Sequence, residues 1–153
     1  MKQIAILGCA ALKASAAFAE TTKSVGCQCA CACACACAQA VDKGIAAAVG
    51  YYIEGGRKGD SKITRKAFAP NATMSWSDKG KVTTVPIKAL YDYVDKSGAM
   101  TVTHGEIKGV ASTPTTALVS VDTQFGKDKY TDTFALVRDG EAWKIVAKIY
   151  HAK

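Results

Sequence analysis

Residues 116–151 read TALVSVDTQFGKDKYTDTFALVRDGEAWKIVAKIYH, and their period is two. Ala117, Val119, Val121, Thr123 and Phe125 fall on one side of an extended chain, while Ser120, Asp122 and Gln124 fall on the other. Side chains of a strand alternate between its faces, so this pattern describes a sheet with one apolar face. Further along, Trp143, Ile145, Ala147 and Ile149 alternate with Lys144 and Lys148. Gly126-Lys127-Asp128 and Asp139-Gly140-Glu141 are turn sequences, and Pro114 marks a break upstream. Strands are therefore expected at 100–112, 116–125, 129–138 and 142–151. Long strands joined by short turns predict an antiparallel meander.

Upstream the period changes. From Gln39 to Gly56, apolar residues recur at Val41, Ile45, Val49, Tyr52 and Ile53, a helical stripe that Gly55-Gly56 would stop. Asp60 or Ser61 can cap a short second helix, SKITRKAF, ended by Pro70. Residues 72–77 suit a strand, Ser77-Asp78-Lys79-Gly80 a turn, and KVTTV the returning strand. Pro86 opens a third helix with Leu90 and Val94 on one side and Ser97-Gly98 at its end. Three leading helices packed in a curved antiparallel sheet make an α+β domain over residues 39–153.

The first 38 residues are of another kind. Residues 1–19 combine Lys2, an apolar run from Ile4 to Leu12 and the small-x-small site Ala17-Phe18-Ala19. These are the parts of a secretory signal peptide, so export to the periplasm or the exterior is expected. Ile6-Leu7-Gly8-Cys9 offers lipidation at Cys9 as the alternative. No segment has the roughly 20 apolar residues that a transmembrane helix needs. Residues 20–38 form a spacer, in which Cys27, Cys29, Cys31, Cys33, Cys35 and Cys37 alternate with small or polar residues. Closely spaced thiolates suit a soft metal or a redox role. Structural zinc sites mostly use a two-residue gap instead, and a low-complexity spacer is the favoured account of the tract.

The chain of 153 residues is long enough for one domain with a real core. Its 20 Lys+Arg exceed its 13 Asp+Glu, a formal charge of +7 that falls to +5 once residues 1–19 are removed. The lysines are scattered among acids, with no Arg-rich stripe interleaved with aromatics, so nucleic acid is not the expected partner. No cofactor motif occurs, and none of the Ser-His-Asp order, H-E-x-x-H or a phosphate loop is present.

Tyr52-Ile53-Glu54-Gly55-Gly56, Gly59-Asp60 and Phe68-Ala69-Pro70-Asn71-Ala72 resemble the opening of the nuclear-transport-factor-2-like superfamily. Tyr130 to Leu136 followed by Gly140 to Val146 resembles its lumazine-binding branch, although Ala147 stands where members often carry Asn. The resemblance covers about residues 39–151. It implies a cone with a pocket at its open end and a homodimer formed through the outer face of the sheet. Superfamily members include isomerases, dehydratases and cyclases as well as binding proteins, so the fold does not dictate the function.

The candidate site residues are few. His104, the only histidine before the last strand, is a candidate general base, though a histidine at a strand end is more often a surface or structural residue. Asp132 shares a strand face with Tyr130 and Phe134, where a carboxylate can act as acid or base or can pair with a lysine across the sheet. Tyr52, Trp76 and Tyr130 are candidate walls for a planar ligand. Tyr91 and Tyr93, two apart on a helix, cannot share a face. The expected function is binding of a small apolar or aromatic molecule. The alternatives are an isomerase, dehydratase or cyclase using Asp132 or His104, and a metal or redox role for the Cys tract.

Overall fold

The computed structural model describes residues 40–153, so the expected signal peptide and the Cys tract lie outside the described residues. Helix α1 (Lys43–Lys58) starts at Asp42, whose Oδ1 accepts hydrogen bonds from the backbone N–H of Gly44 at 2.7 Å and Ile45 at 3.4 Å. Ile45, Ala48, Val49 and Tyr52 form its buried stripe. The helix does not stop at Gly55-Gly56, as its sequence predicts, but runs through both to Gly59, which takes φ 64°. The reason is close approach. A Cβ on Gly55 would lie 2.0 Å from Thr64 Oγ1, and one on Gly56 would lie 2.5 Å from the Phe125 ring.

Helix α2 (Ser61–Thr64) is capped by Asp60, which accepts from the Lys62 N–H at 2.8 Å. It lasts one turn and ends well before Pro70, because strand β1 (Phe68–Asp78) has already begun. Pro70 is tolerated there since β1 leaves register with its neighbour between Phe68 and Thr73. Strand β2 (Lys81–Pro86) and helix α3 (Lys88–Ser97) follow. Then come β3 (Val102–Ser112), β4 (Thr116–Phe125), β5 (Asp128–Asp139) and β6 (Ala142–Ala152).

The strands form one open sheet in the order β2-β1-β6-β5-β4-β3. Four of its neighbouring pairs are antiparallel, as the meander predicts, but β1 pairs with β6 in parallel. The sheet is thus mixed at one seam, where the last strand returns beside the first. Register shifts in the β1–β6, β3–β4 and β5–β6 ladders add local bend and twist.

One of these shifts matters most. Leu136 lies opposite Ile145 and Ala135 opposite Ala147, so Val146 is an extra residue on β6. Beyond it the alternation inverts. Lys148 is buried and Ile149 is 55% exposed, the reverse of the simple period-two reading. The core beneath β6 is a cluster of edge-to-face aromatics. Tyr52 meets Phe134 at 5.2 Å, Phe125 at 5.8 Å and Phe68 at 6.3 Å between ring centroids. Such pairs contribute about 0.5–1.5 kcal/mol each beyond the area they bury.

Candidate functional site

A cavity of about 310 Å³ lies between α1, α3 and the inner face of the sheet. Met74, Leu90, Val94, Met100 and Phe125 give it apolar walls, and Tyr52, Tyr93, Tyr130 and Tyr150 give it aromatic ones. Lys148 is the one charged side chain on the wall among the described residues. The β6 bulge therefore does two things: it turns Lys148 inward, and it brings Tyr150 round to the same side.

Lys148 Nζ donates to Asp132 Oδ1 in a short, fully buried ion pair. The other carboxylate oxygen, Oδ2, accepts from the Tyr52 hydroxyl at 3.0 Å and from Thr123 Oγ1 at 3.1 Å. All four groups are buried, and they come from α1, β4, β5 and β6. Burial pushes the Lys148 ammonium below its ordinary value, and the Asp132 charge opposes that shift. Burial, followed by the Asp132 charge, pushes the Tyr52 phenol well above its ordinary value. Tyr52 therefore stays a neutral donor. The Lys148 ammonium also sits 4.6 Å from the Tyr150 ring centroid and 5.4 Å from that of Tyr52, close enough for cation–π attraction.

This arrangement redistributes the candidate roles. Asp132 is central, but both its oxygens are occupied by three donors and it does not reach the cavity wall. The carboxylate orients the lysine, and the lysine faces the ligand space. Tyr52 and Tyr130 line the cavity, whereas Trp76 does not line it. Trp76 packs instead on Tyr150 at 5.5 Å, supporting the wall from behind. Tyr91 belongs to the core while Tyr93, half exposed, borders the cavity.

His104 and Asp132 do not meet. His104 is exposed on edge strand β3, with Nε2 3.5 Å from Glu106 Oε2. It shares a shallow depression with Lys153 and with Asp122 and Gln124, which alternate with the inward face of β4. Sequence reading missed Lys148, Tyr150, Met74 and Met100. For Lys148 and Tyr150 the only available signal was the bulge, which depends on cross-strand register. Among the described residues no cluster of His, Cys, Asp and Glu could hold a metal, and the six alternating cysteines lie outside them. No described helix is long and apolar enough to cross a membrane.

Helices laid on one face of an open, bulged sheet over an apolar cavity define a nuclear-transport-factor-2-like fold. The family profile described as "Putative lumazine-binding" matches residues 40–151, and the chain belongs to that family. Similar solved structures include an NTF2-like protein of unknown function from Shewanella baltica, 32% identical with a TM-score of 0.64 over 72% of this chain and 91% of that one. Another, from Methylobacillus flagellatus, is 26% identical with a TM-score of 0.66 over 72% of this chain and 90% of that one. Among characterised proteins, the chain is 30% identical over 103 residues to Aldolase FrzH of Cladobotryum, covering 66% of this chain and 82% of that protein.

Proposed function

We propose that the protein binds a small aromatic or apolar molecule carrying one oxygen acceptor, held in the cavity with that oxygen against Lys148. The observation that carries this reading is a single buried cation on an otherwise aromatic and apolar wall. Apolar walls supply affinity by excluding water, and one placed polar group fixes orientation. The test is native mass spectrometry of the protein purified from a bacterial host without reductant. A retained small-molecule mass that disappears in Lys148→Met supports the reading; a retained mass unaffected by that substitution refutes the assigned orientation.

A second reading is carbon–carbon bond or proton-transfer chemistry on a carbonyl compound. It is favoured by the likeness to a protein named as an aldolase, together with a lysine in the cavity. An ammonium donating to a carbonyl oxygen stabilises the enolate that such reactions form. Turnover by wild type that is lost in Lys148→Met, with the fold intact, would distinguish it from binding alone. We further propose that the protein is exported, with cleavage after Ala19, and pairs with a second copy through the outer face of its sheet. A mature mass beginning at Glu20, doubled under native conditions, is the expected observation.

A further inference from the structure

We infer that Lys148 forms an imine with a carbonyl compound bound in the cavity. This rests on the binding reading above and adds the chemical class of the ligand and a covalent step.

Three features carry it. First, Lys148 is the only primary amine on the cavity wall among the described residues. Second, a proton acceptor is already in place: Asp132 Oδ1 contacts Nζ, and Tyr52 and Thr123 hold the carboxylate from its other side. Third, the surroundings disfavour charge on the amine. The lysine is buried between the Tyr52, Phe134 and Tyr150 rings, and desolvation lowers its proton affinity. A desolvated lysine beside a proton acceptor meets the general requirements of an amine nucleophile. Stability alone does not call for this arrangement, because a buried ion pair is often no better than apolar residues of equal volume.

The step balances within the pair. Nζ passes a proton to Asp132, and its freed lone pair attacks the carbonyl carbon to give a carbinolamine. Asp132 then returns the proton to the carbinolamine hydroxyl, which leaves as water. Lysine ammonium and carbonyl become iminium and water, and the iminium charge stays paired with the Asp132 carboxylate. No external oxidant, reductant or metal is needed.

The experiment uses 2-naphthaldehyde, a two-ring aldehyde, with sodium cyanoborohydride to reduce any imine to a stable amine. Binding of 2-naphthol, which has the same rings without the carbonyl, is measured in parallel by fluorescence titration. The expected result is a protein heavier by one aldehyde less one oxygen atom, with the label mapped to Lys148. Labelling there should exceed that at surface lysines by at least about tenfold, since those lie outside the cavity that binds the aldehyde, and 2-naphthol should slow it. Lys148→Arg keeps a cation for Asp132 but cannot form the imine, so it should lose the label while keeping the wild-type circular dichroism spectrum. If the variant fails to fold, the peptide map of the wild type decides. Labels confined to surface lysines, with 2-naphthol bound, overturn the imine and leave the pocket reading standing. Neither labelling at Lys148 nor 2-naphthol binding overturns both.

Discussion

At the scale of single residues, the decisive group is Asp132, whose carboxylate binds three donors from three other elements. Removing one partner of a buried pair leaves the other charge uncompensated, a cost of about 3–5 kcal/mol. Asp132→Leu and Lys148→Met should each lose about that much in urea denaturation, while the double variant should come within about 1 kcal/mol of wild type. Additive losses would mean that the pair is not coupled. Tyr52 carries a different signature. Its folded value lies well above its ordinary 10.0, so the folded state holds that proton more tightly than the unfolded chain. The stability it contributes is therefore complete below pH 10 and is lost as pH rises through the folded value. Tyr52→Phe should cost about 1–3 kcal/mol at neutral pH by removing one donor from the buried carboxylate. The gap to wild type should narrow above pH 10 in melts recorded across the alkaline range. Sequence could name Asp132, Tyr52 and Tyr130, because each sits on a strand or helix whose face is readable from its own neighbours. It could not name Lys148, whose inward turn is set by the strand beside it.

At the scale of elements, local periodicity located every helix and strand of the described domain, and β4 was placed with both its ends. What it misjudged were places where a second element intervenes. Gly55 and Gly56 resemble a helix stop, but they are the surface on which α2 and Phe125 come close. Val146 looks like an ordinary strand residue, yet it is the one extra residue that inverts the end of β6. The glycines supply a direct comparison. Gly50 is exposed on α1 with nothing near a would-be Cβ, so Gly50→Ala should raise stability by about 0.5–1 kcal/mol through helix propensity. Gly55→Ala gains the same propensity but drives a methyl into Thr64, whose backbone N lies 2.7 Å from the would-be Cβ. Overpacking of that kind costs about 1–3 kcal/mol, so the two variants should shift the thermal midpoint in opposite directions. Equal shifts would show that α1 and α2 can separate freely.

At the scale of the whole molecule, the α+β class followed from the order of helical and period-two segments and from turns too short for crossovers, whereas the cone was what the family resemblance implied. The parallel seam between β1 and β6 did not follow, because a pairing of the first strand with the last leaves no mark in either strand's own sequence. Nor does a sheet's pattern say what lies against its outer face. That face carries Leu118, Val137 and Ile149, which are 57%, 41% and 55% exposed on the central strands β4, β5 and β6. Leu118 lies opposite Ala135 and Ala135 opposite Ala147, so small apolar residues link these larger ones across the ladder. A stable dimer needs roughly 800 Å² buried on each partner, and a broad sheet face can provide it without covering the cavity on the other side. The wild type should therefore sediment as a dimer, and Ile149→Lys should sediment as a monomer with an unchanged circular dichroism spectrum. The substitution should leave 2-naphthol binding intact, since Ile149 points away from Lys148. Wild type that remains monomeric at every concentration tested would remove the sheet face from the interface. A monomeric variant that also loses 2-naphthol binding would instead show that the cavity depends on the second copy for its shape.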